Sequence, residues 1–166
     1  MVSRRAFLVG VAGLLLWPAR SRGAALPDPT RVALDTSRFV YVSPLRQDGA
    51  ESTCHGEVWY AWLDGRVVLI TSRDGWKARA LARGLDRARV WVGDYGRWKS
   101  LVGRNEEFRQ APRFDARASR VADPALLERL LVAYERKYPE EIEGWRERFQ
   151  RGFASGERVL LAYEPL

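Results

Sequence analysis

The chain has 166 residues and a formal net charge of +7 at pH 7, from 28 basic and 21 acidic side chains. Four of the basic residues and no acid lie in residues 1–25, so the remaining chain has 24 basic and 21 acidic side chains, a net charge of +3. A nucleic-acid-binding protein needs a clustered basic face, which this balance disfavours. The single cysteine, Cys54, excludes an internal disulfide, and one cysteine with one histidine leaves too few ligands for a zinc tetrahedron.

Residues 1–25 resemble a twin-arginine export signal. Residues 3–8 are Ser-Arg-Arg-Ala-Phe-Leu, and an apolar run continues from there to Trp17. The run is shorter than the roughly 20 apolar residues that a membrane-spanning helix needs, and Gly23 and Ala25 suit a signal peptidase. The resemblance implies that the twin-arginine translocase exports the folded protein to the periplasm, the cell envelope or the medium, without a stable membrane span. An uncleaved N-terminal anchor is the alternative.

After the signal, residues 26–36 are expected to form a leader or linker, and residues 37–166 a single domain. A chain of this length buries enough surface to be stable without disulfides. The expected elements of its first half are strands at residues 39–42, 57–63 and 66–71, a short helix at 76–83 and a strand at 88–92. Asp64 and Gly65 tolerate the positive φ angles of a two-residue turn, so the second and third strands should form a tight hairpin.

The second half of the domain has weaker strand patterns and stronger helical ones. Residues 114–121 fit exposed strand segments. Asp123 and Pro124 begin a helix that should run to about Lys137, and a second helix should carry Ile142, Trp145 and Phe149 on one face. The two form a helical pair within residues 124–153, and a last strand is expected at residues 158–163.

This order of elements predicts a mainly antiparallel sheet or barrel of α+β class, with one short helix in the barrel and the helical pair at one side. A doubly wound parallel sheet is disfavoured, because a tight hairpin joins successive strands where a parallel sheet needs long crossovers.

The segment from Thr71 to Arg79 is the first candidate site. Hydroxyls at a strand end, a glycine and free N–H groups at a helix start, with Lys77 and Arg79 in the first turn, could hold a phosphate. The same residues could form an ordinary capped turn whose basic side chains are solvated.

Cys54 and His55 form the second candidate. Adjacent side chains on an extended chain point to opposite faces, which disfavours a catalytic Cys–His pair. His55 could be a lone axial haem ligand, a contact to a bound cofactor, or a histidine of the surface or of a capped strand. Among the aromatic residues, Trp59 could stack on a cofactor ring only from the strand face that is not core, and Trp76 and Trp98 are expected to be pocket walls.

Residues 37–100 resemble the split-barrel flavin-binding fold of the pyridoxamine 5′-phosphate oxidase superfamily. The likeness lies in a strand that ends in Thr, a short loop, a helix that opens with Lys, and a next strand that begins Ala-Arg-Val. It implies that a phosphate of FMN or of the deazaflavin coenzyme is held by Thr71, Ser72, Lys77 and Arg79. It also implies that Trp59 flanks the ring, that two chains form a homodimer, and that a haem is possible, since related split barrels bind haem.

The sequence lacks a match to the pyridoxal-phosphate-binding residues of true pyridoxamine phosphate oxidases, so the substrate class does not transfer. The favoured hypothesis is an exported flavin-binding split-barrel protein, an oxidoreductase acting on a small molecule. The alternatives are a haem- or ligand-binding module without turnover, with His55 as its key side chain, and a structural protein with a degenerate pocket.

Overall fold

The computed structural model describes residues 26–97, 99–100 and 103–166. The strands are β1 (Phe39–Pro44), β2 (Gly56–Trp59), β3 (Ala61–Leu63), β4 (Arg66–Ser72), β5 (Arg87–Val92), β6 (Lys99–Ser100), β7 (Gly103–Arg104), β8 (Arg113–Val121) and β9 (Arg158–Pro165). The helices are α1 (Asp28–Thr36), α2 (Trp76–Ala82), α3 (Pro124–Lys137), α4 (Pro139–Ile142) and α5 (Arg146–Ala154), and a 3-10 helix covers Glu107–Gln110. Residues 1–25, for which an export signal is predicted, and Trp98, a predicted pocket wall, lie outside the described residues.

Seven of the strands form one antiparallel sheet in the order β2-β1-β5-β8-β9-β4-β3. The first and last strands of this order, β2 and β3, are separated along the chain by Tyr60 alone. The two ends of the sheet therefore meet, and the barrel is nearly closed. The predicted fold class, a mainly antiparallel split barrel of α+β type, is confirmed.

The hairpin between β3 and β4 is confirmed at its predicted turn. Asp64 has a φ of 52° and Gly65 a φ of 73°, the left-handed pair that a two-residue turn of matching twist requires. Asp64 also accepts hydrogen bonds from both terminal nitrogens of Arg129 on α3, at 2.9 and 2.7 Å, which connects the turn to the helical layer.

The predicted strand at residues 57–63 is interrupted at Tyr60, which separates β2 from β3. The ring of Tyr60 is fully buried inside the barrel. Its hydroxyl donates to the carbonyl of Leu34 at 2.9 Å, and its backbone N–H donates to the hydroxyl of Tyr138 at 3.1 Å. Leu34 belongs to α1, so the segment expected to be a leader or linker contains a helix that packs on the barrel core.

Two further elements differ from the expectation. Residues 113–121 form one nine-residue strand, β8, that pairs with both β5 and β9 inside the sheet. The second helix of the pair is broken into α4 and α5 around Trp145, which is 38% exposed, whereas Ile142 and Phe149 are buried as predicted.

No helix of the described ranges is long and apolar enough to cross a membrane.

The core lies in two main layers, inside and outside the barrel. Alternate residues of β4 and β9, such as Leu69 and Leu161, fill the barrel interior. Their neighbours Val68 and Leu160 face outward and pack against α3, α4 and α5. This alternation follows from the twofold period of a strand, and it places the helical layer over the β3-β4-β9 side. A smaller third cluster, around Tyr41 and Phe108, covers the outside of β1 and β5.

Candidate functional site

A cleft of about 540 Å³ lies beside β2, at the end of the sheet. Pockets that hold small molecules and cofactors commonly have volumes of about 300–1,000 Å³. The cleft is lined by Thr53, Cys54, His55, Glu57, Val58, Trp59, Trp76 and Arg97. Two predicted site residues, Trp59 and His55, are therefore in one cavity, together with the predicted pocket wall Trp76.

Trp59 is held in place by the helical layer. Its ring stacks on that of Tyr138, with ring centroids 4.6 Å apart and an interplanar angle of 10°, and meets the ring of Tyr134 edge-on at 5.8 Å. Tyr134 also donates a hydrogen bond to the carbonyl of Trp59 at 2.8 Å. These contacts fix the ring before any ligand arrives.

Trp76, the first residue of α2, forms a second aromatic wall. Its ring lies so close to Gly56 of β2 that a Cβ at that position would stand 2.8 Å from Trp76 Cζ2. A real Cβ does not tolerate that distance, so glycine at position 56 is what allows the ring to approach the strand.

Lys77 lies beside the cleft with its charge desolvated. Its Nζ is 4.2 Å from the centroid of the Trp76 ring and 3.3 Å from where a Cβ of Gly56 would stand. Burial lowers the pKa of Lys77 from 10.5 to about 8. Within the described ranges, the ammonium forms neither an ion pair nor a hydrogen bond. A cation buried in this way is destabilising unless an anion neutralises it.

The other predicted phosphate contacts are placed around the start of α2. Thr71, at the end of β4, is half-buried, and its Oγ1 lies 3.3 Å from where a Cβ of Gly75 would stand. Ser72 is exposed and its Oγ accepts the N–H of Asp74 at 3.3 Å. Arg79 is exposed. The turn therefore brings Thr71 and Ser72 to the helix start, while the ammonium of Lys77 lies toward β2.

His55 is buried and engaged on both ring nitrogens. Nε2 lies 3.3 Å from Nη2 of Arg109, and Nδ1 contacts Oγ of Ser43. Since the guanidinium can only donate, the arrangement assigns the ring hydrogen to Nδ1 and its hydrogen bond to Ser43. Burial, and then the charge of Arg109, lower the pKa of His55, which favours the neutral ring. A metal ion could reach either nitrogen only by displacing one of these partners.

Cys54, by contrast, is exposed, so the two adjacent side chains differ in environment, although both precede β2 in the chain. In the part of the chain that the structure describes, no group of three or more His, Cys, Asp or Glu side chains could hold a metal ion.

Glu57 and Arg97 also line the cleft, and sequence reasoning did not single them out. Oε2 of Glu57 is buried and accepts no hydrogen bond from residues 26–97, 99–100 or 103–166. Burial raises the pKa of Glu57, and the nearby charge of Arg97 opposes that rise. The available signal for Glu57 was its position as the one acid in an otherwise apolar and aromatic strand, between Gly56 and Leu63. Arg97 lies in the loop after β5 and carries no comparable pattern.

No protein-family model matches the sequence, and comparison with curated proteins finds no relative. The fold, however, is shared with solved structures. A conserved hypothetical protein of Mycobacterium tuberculosis is 20% identical, with a TM-score of 0.56, over 88% of this chain and 85% of that one. The heme storage protein HutZ of Vibrio cholerae is 16% identical, with a TM-score of 0.54, over 82% and 87%.

A Listeria innocua protein, described provisionally as a pyridoxamine 5′-phosphate oxidase, is 14% identical, with a TM-score of 0.52, over 83% of this chain and 91% of that one. At identities of 20% and below, what these proteins and this chain share is the fold. The chain therefore has the split-barrel fold that its resemblance to the pyridoxamine 5′-phosphate oxidase superfamily predicts.

Proposed function

We propose that the chain is an exported split-barrel flavoprotein that binds FMN or a deazaflavin coenzyme in the cleft beside β2 and acts as an oxidoreductase on a small molecule. The observation that carries the proposal is the desolvated ammonium of Lys77, without a counter-ion in the described chain, next to a cleft with two tryptophan walls. A flavin phosphate would supply the anion, and a planar ring would fit the walls.

The phosphate half of the fit rests on charge and on donors. Lys77 would contribute a charge-assisted hydrogen bond, which is roughly twice as strong as a neutral one. Thr71 and Ser72 would add hydroxyl donors at the start of α2, and Arg79 would approach from the solvent side, as the family resemblance implies. Binding of the phosphate would then offset the free-energy cost of burying the Lys77 ammonium without an anion.

The ring half of the fit rests on preorganisation. Trp59 is already fixed by Tyr138 and Tyr134, so little side-chain entropy is lost when a ligand packs against it. Trp76 packs closely against Gly56 of β2. A bound flavin supplies hydride or electron transfer, and the protein's residues position it and exclude water.

The proposal includes a homodimer. Strand β2 ends the sheet, and the backbone groups on its open side have no strand partner in the described structure. Natural proteins cover or protect such an edge, and a second copy of the chain would do so next to the cleft.

A haem- or ligand-binding module without turnover is the second candidate, and the observation that favours it is the presence of His55 in the cleft lining. The contacts of His55 with Ser43 and Arg109 weigh against it, because iron would have to displace one of them.

One titration series separates these possibilities. Purified protein without residues 1–25 is mixed with FMN, with the deazaflavin coenzyme and with haemin, and binding is followed by absorbance and fluorescence. We expect one flavin to bind with a dissociation constant in the micromolar range or below and haemin to give no sharp Soret shift. A His55-dependent Soret shift without flavin binding would favour the haem module, and no binding at all would favour a degenerate barrel.

A further inference from the structure

Glu57 has a carboxylate oxygen that is unusual among the polar atoms of the cleft. Its Oε2 is buried yet has no hydrogen-bond partner in the described part of the chain, whereas most buried polar side-chain atoms in folded proteins have one. Because β2 and β1 pair in register, Glu57 lies opposite Tyr41, and the strand fixes its position. A carboxylate oxygen held in this way could accept a hydrogen bond from an N–H or O–H group of a ligand.

Arg97 lines the same cleft and offers the opposite chemistry. Its guanidinium is close enough to act on the pKa of Glu57, yet the two side chains form no ion pair. Arginine presents several N–H donors and no acceptor. Among the described residues, the cleft wall therefore holds a buried acceptor atom without a partner close to donors without a partner.

This combination selects among ligand charges. A cation would be attracted by Glu57 and repelled by Arg97, and an anion the reverse, so neither charge satisfies both residues. A neutral edge that carries both a donor and acceptors satisfies both residues. The tryptophan walls add the requirement that the ligand be planar.

We propose that Glu57 and Arg97 recognise the imide edge of a planar heterocycle, with Glu57 accepting the ring N–H and Arg97 donating to a flanking carbonyl. The isoalloxazine and deazaflavin rings both have this edge, so the inference rests on the proposed function and assigns the pyrimidine side of the ring to these two residues. Haem lacks an imide edge and has carboxylates in its place.

The test compares FMN with 3-methyl-FMN, which lacks the imide N–H, by fluorescence titration against the parent protein and the variants Glu57→Gln and Glu57→Leu. A hydrogen bond to a charged group changes affinity on the order of ten- to a hundredfold. The parent should prefer FMN by at least about tenfold. Glu57→Gln, which keeps an acceptor oxygen, should retain part of that preference, and Glu57→Leu should lose it.

The exposed Glu147, on α5, provides the matched control, since Glu147→Leu should leave the preference unchanged. Equal binding of the two flavins by the parent, or an undiminished preference in Glu57→Leu, overturns the inference while leaving the flavin site intact.

Lumichrome, which has the imide edge but no ribityl phosphate, separates the inference from the proposed function. If FMN does not bind and lumichrome binds in a Glu57-dependent way, the edge recognition stands and the phosphate site fails. If neither of these nor the deazaflavin coenzyme binds, both proposals fail.

Discussion

Replacing Lys77 by Met should stabilise the flavin-free protein and weaken flavin binding at the same time. Burial lowers the pKa of Lys77 from 10.5 to about 8, and a tenfold change in proton affinity is worth about 1.4 kcal/mol, so desolvation costs on the order of 3 kcal/mol at most. The partial exposure of the side chain and the contact of Nζ with the Trp76 ring reduce this figure. We expect Lys77→Met to raise the free energy of unfolding by about 1–2 kcal/mol at pH 7.

The stabilisation by Lys77→Met should decrease as the pH rises. The folded-state pKa of Lys77 is below its unfolded value, so the group destabilises the folded state fully below about pH 8 and not at all above pH 10.5. Urea unfolding of parent and variant, each without flavin, should therefore show the largest difference near pH 7 and a much smaller one near pH 10.

Flavin affinity should change in the opposite direction. Removing the charge-assisted hydrogen bond to the phosphate should weaken FMN binding by roughly 1.5–3 kcal/mol, about 10- to 150-fold. Lumichrome, which has no phosphate, should bind equally to both proteins.

Lys137 provides a matched control outside the cleft lining. Burial also lowers its pKa, to about 7, while its Nζ lies 3.3 Å from the centroid of the Tyr60 ring. Lys137→Met removes a comparable buried ammonium and should leave FMN affinity unchanged. The reasoning is refuted if Lys77→Met lowers stability at pH 7, or if both lysine variants bind FMN as the parent does.

Three other outcomes are expected. Changing Arg4 and Arg5 together to Lys should leave the precursor in the cytoplasm in a fractionation assay, and normal export of that variant would exclude the twin-arginine route. Light scattering at tens of micromolar should give the mass of a dimer, and a strict monomer would contradict the proposed assembly. Glu51→Gln should lower the free energy of unfolding by about 2–4 kcal/mol, because it removes the largely buried carboxylate that pairs with two arginines, whereas Glu147→Gln should change it by less than about 1 kcal/mol. Equal effects of the two substitutions in urea unfolding would show that burial of the Glu51 pairs does not matter.

Much of the fold could be predicted because its signals are local. The turn at Asp64 and Gly65 depends on two adjacent residues, and α3 depends on a cap at Asp123 and on helical spacing. Each of these signals acts within about four residues, so no knowledge of distant contacts is needed. The α1 helix has Asp28 and Pro29 in its first turn but no side-chain cap, and it is held by Leu34, whose burial depends on the barrel.

The rest of the site depends on contacts between distant residues. The chain bends at Tyr60 because its ring fills the barrel and its hydroxyl reaches α1, neither of which is visible in the alternating pattern of residues 57–63. His55 is buried because Ser43 and Arg109 meet it from other elements. Glu57 and Arg97 come together only when the loop after β5 reaches β2.

The position of β9 has a consequence for how the protein can be made. This strand comes last in chain order, yet it pairs with β8 on one side and β4 on the other, inside the sheet. During synthesis, the edges of β4 and β8 therefore stay unpaired until residues 158–165 have left the ribosome. Unpaired strand edges can pair with other chains. A chain that stops short of β9 cannot close its barrel. The barrel can therefore fold only after this strand has been translated. An export route that accepts only folded cargo would thereby reject incomplete chains without any separate inspection of their length.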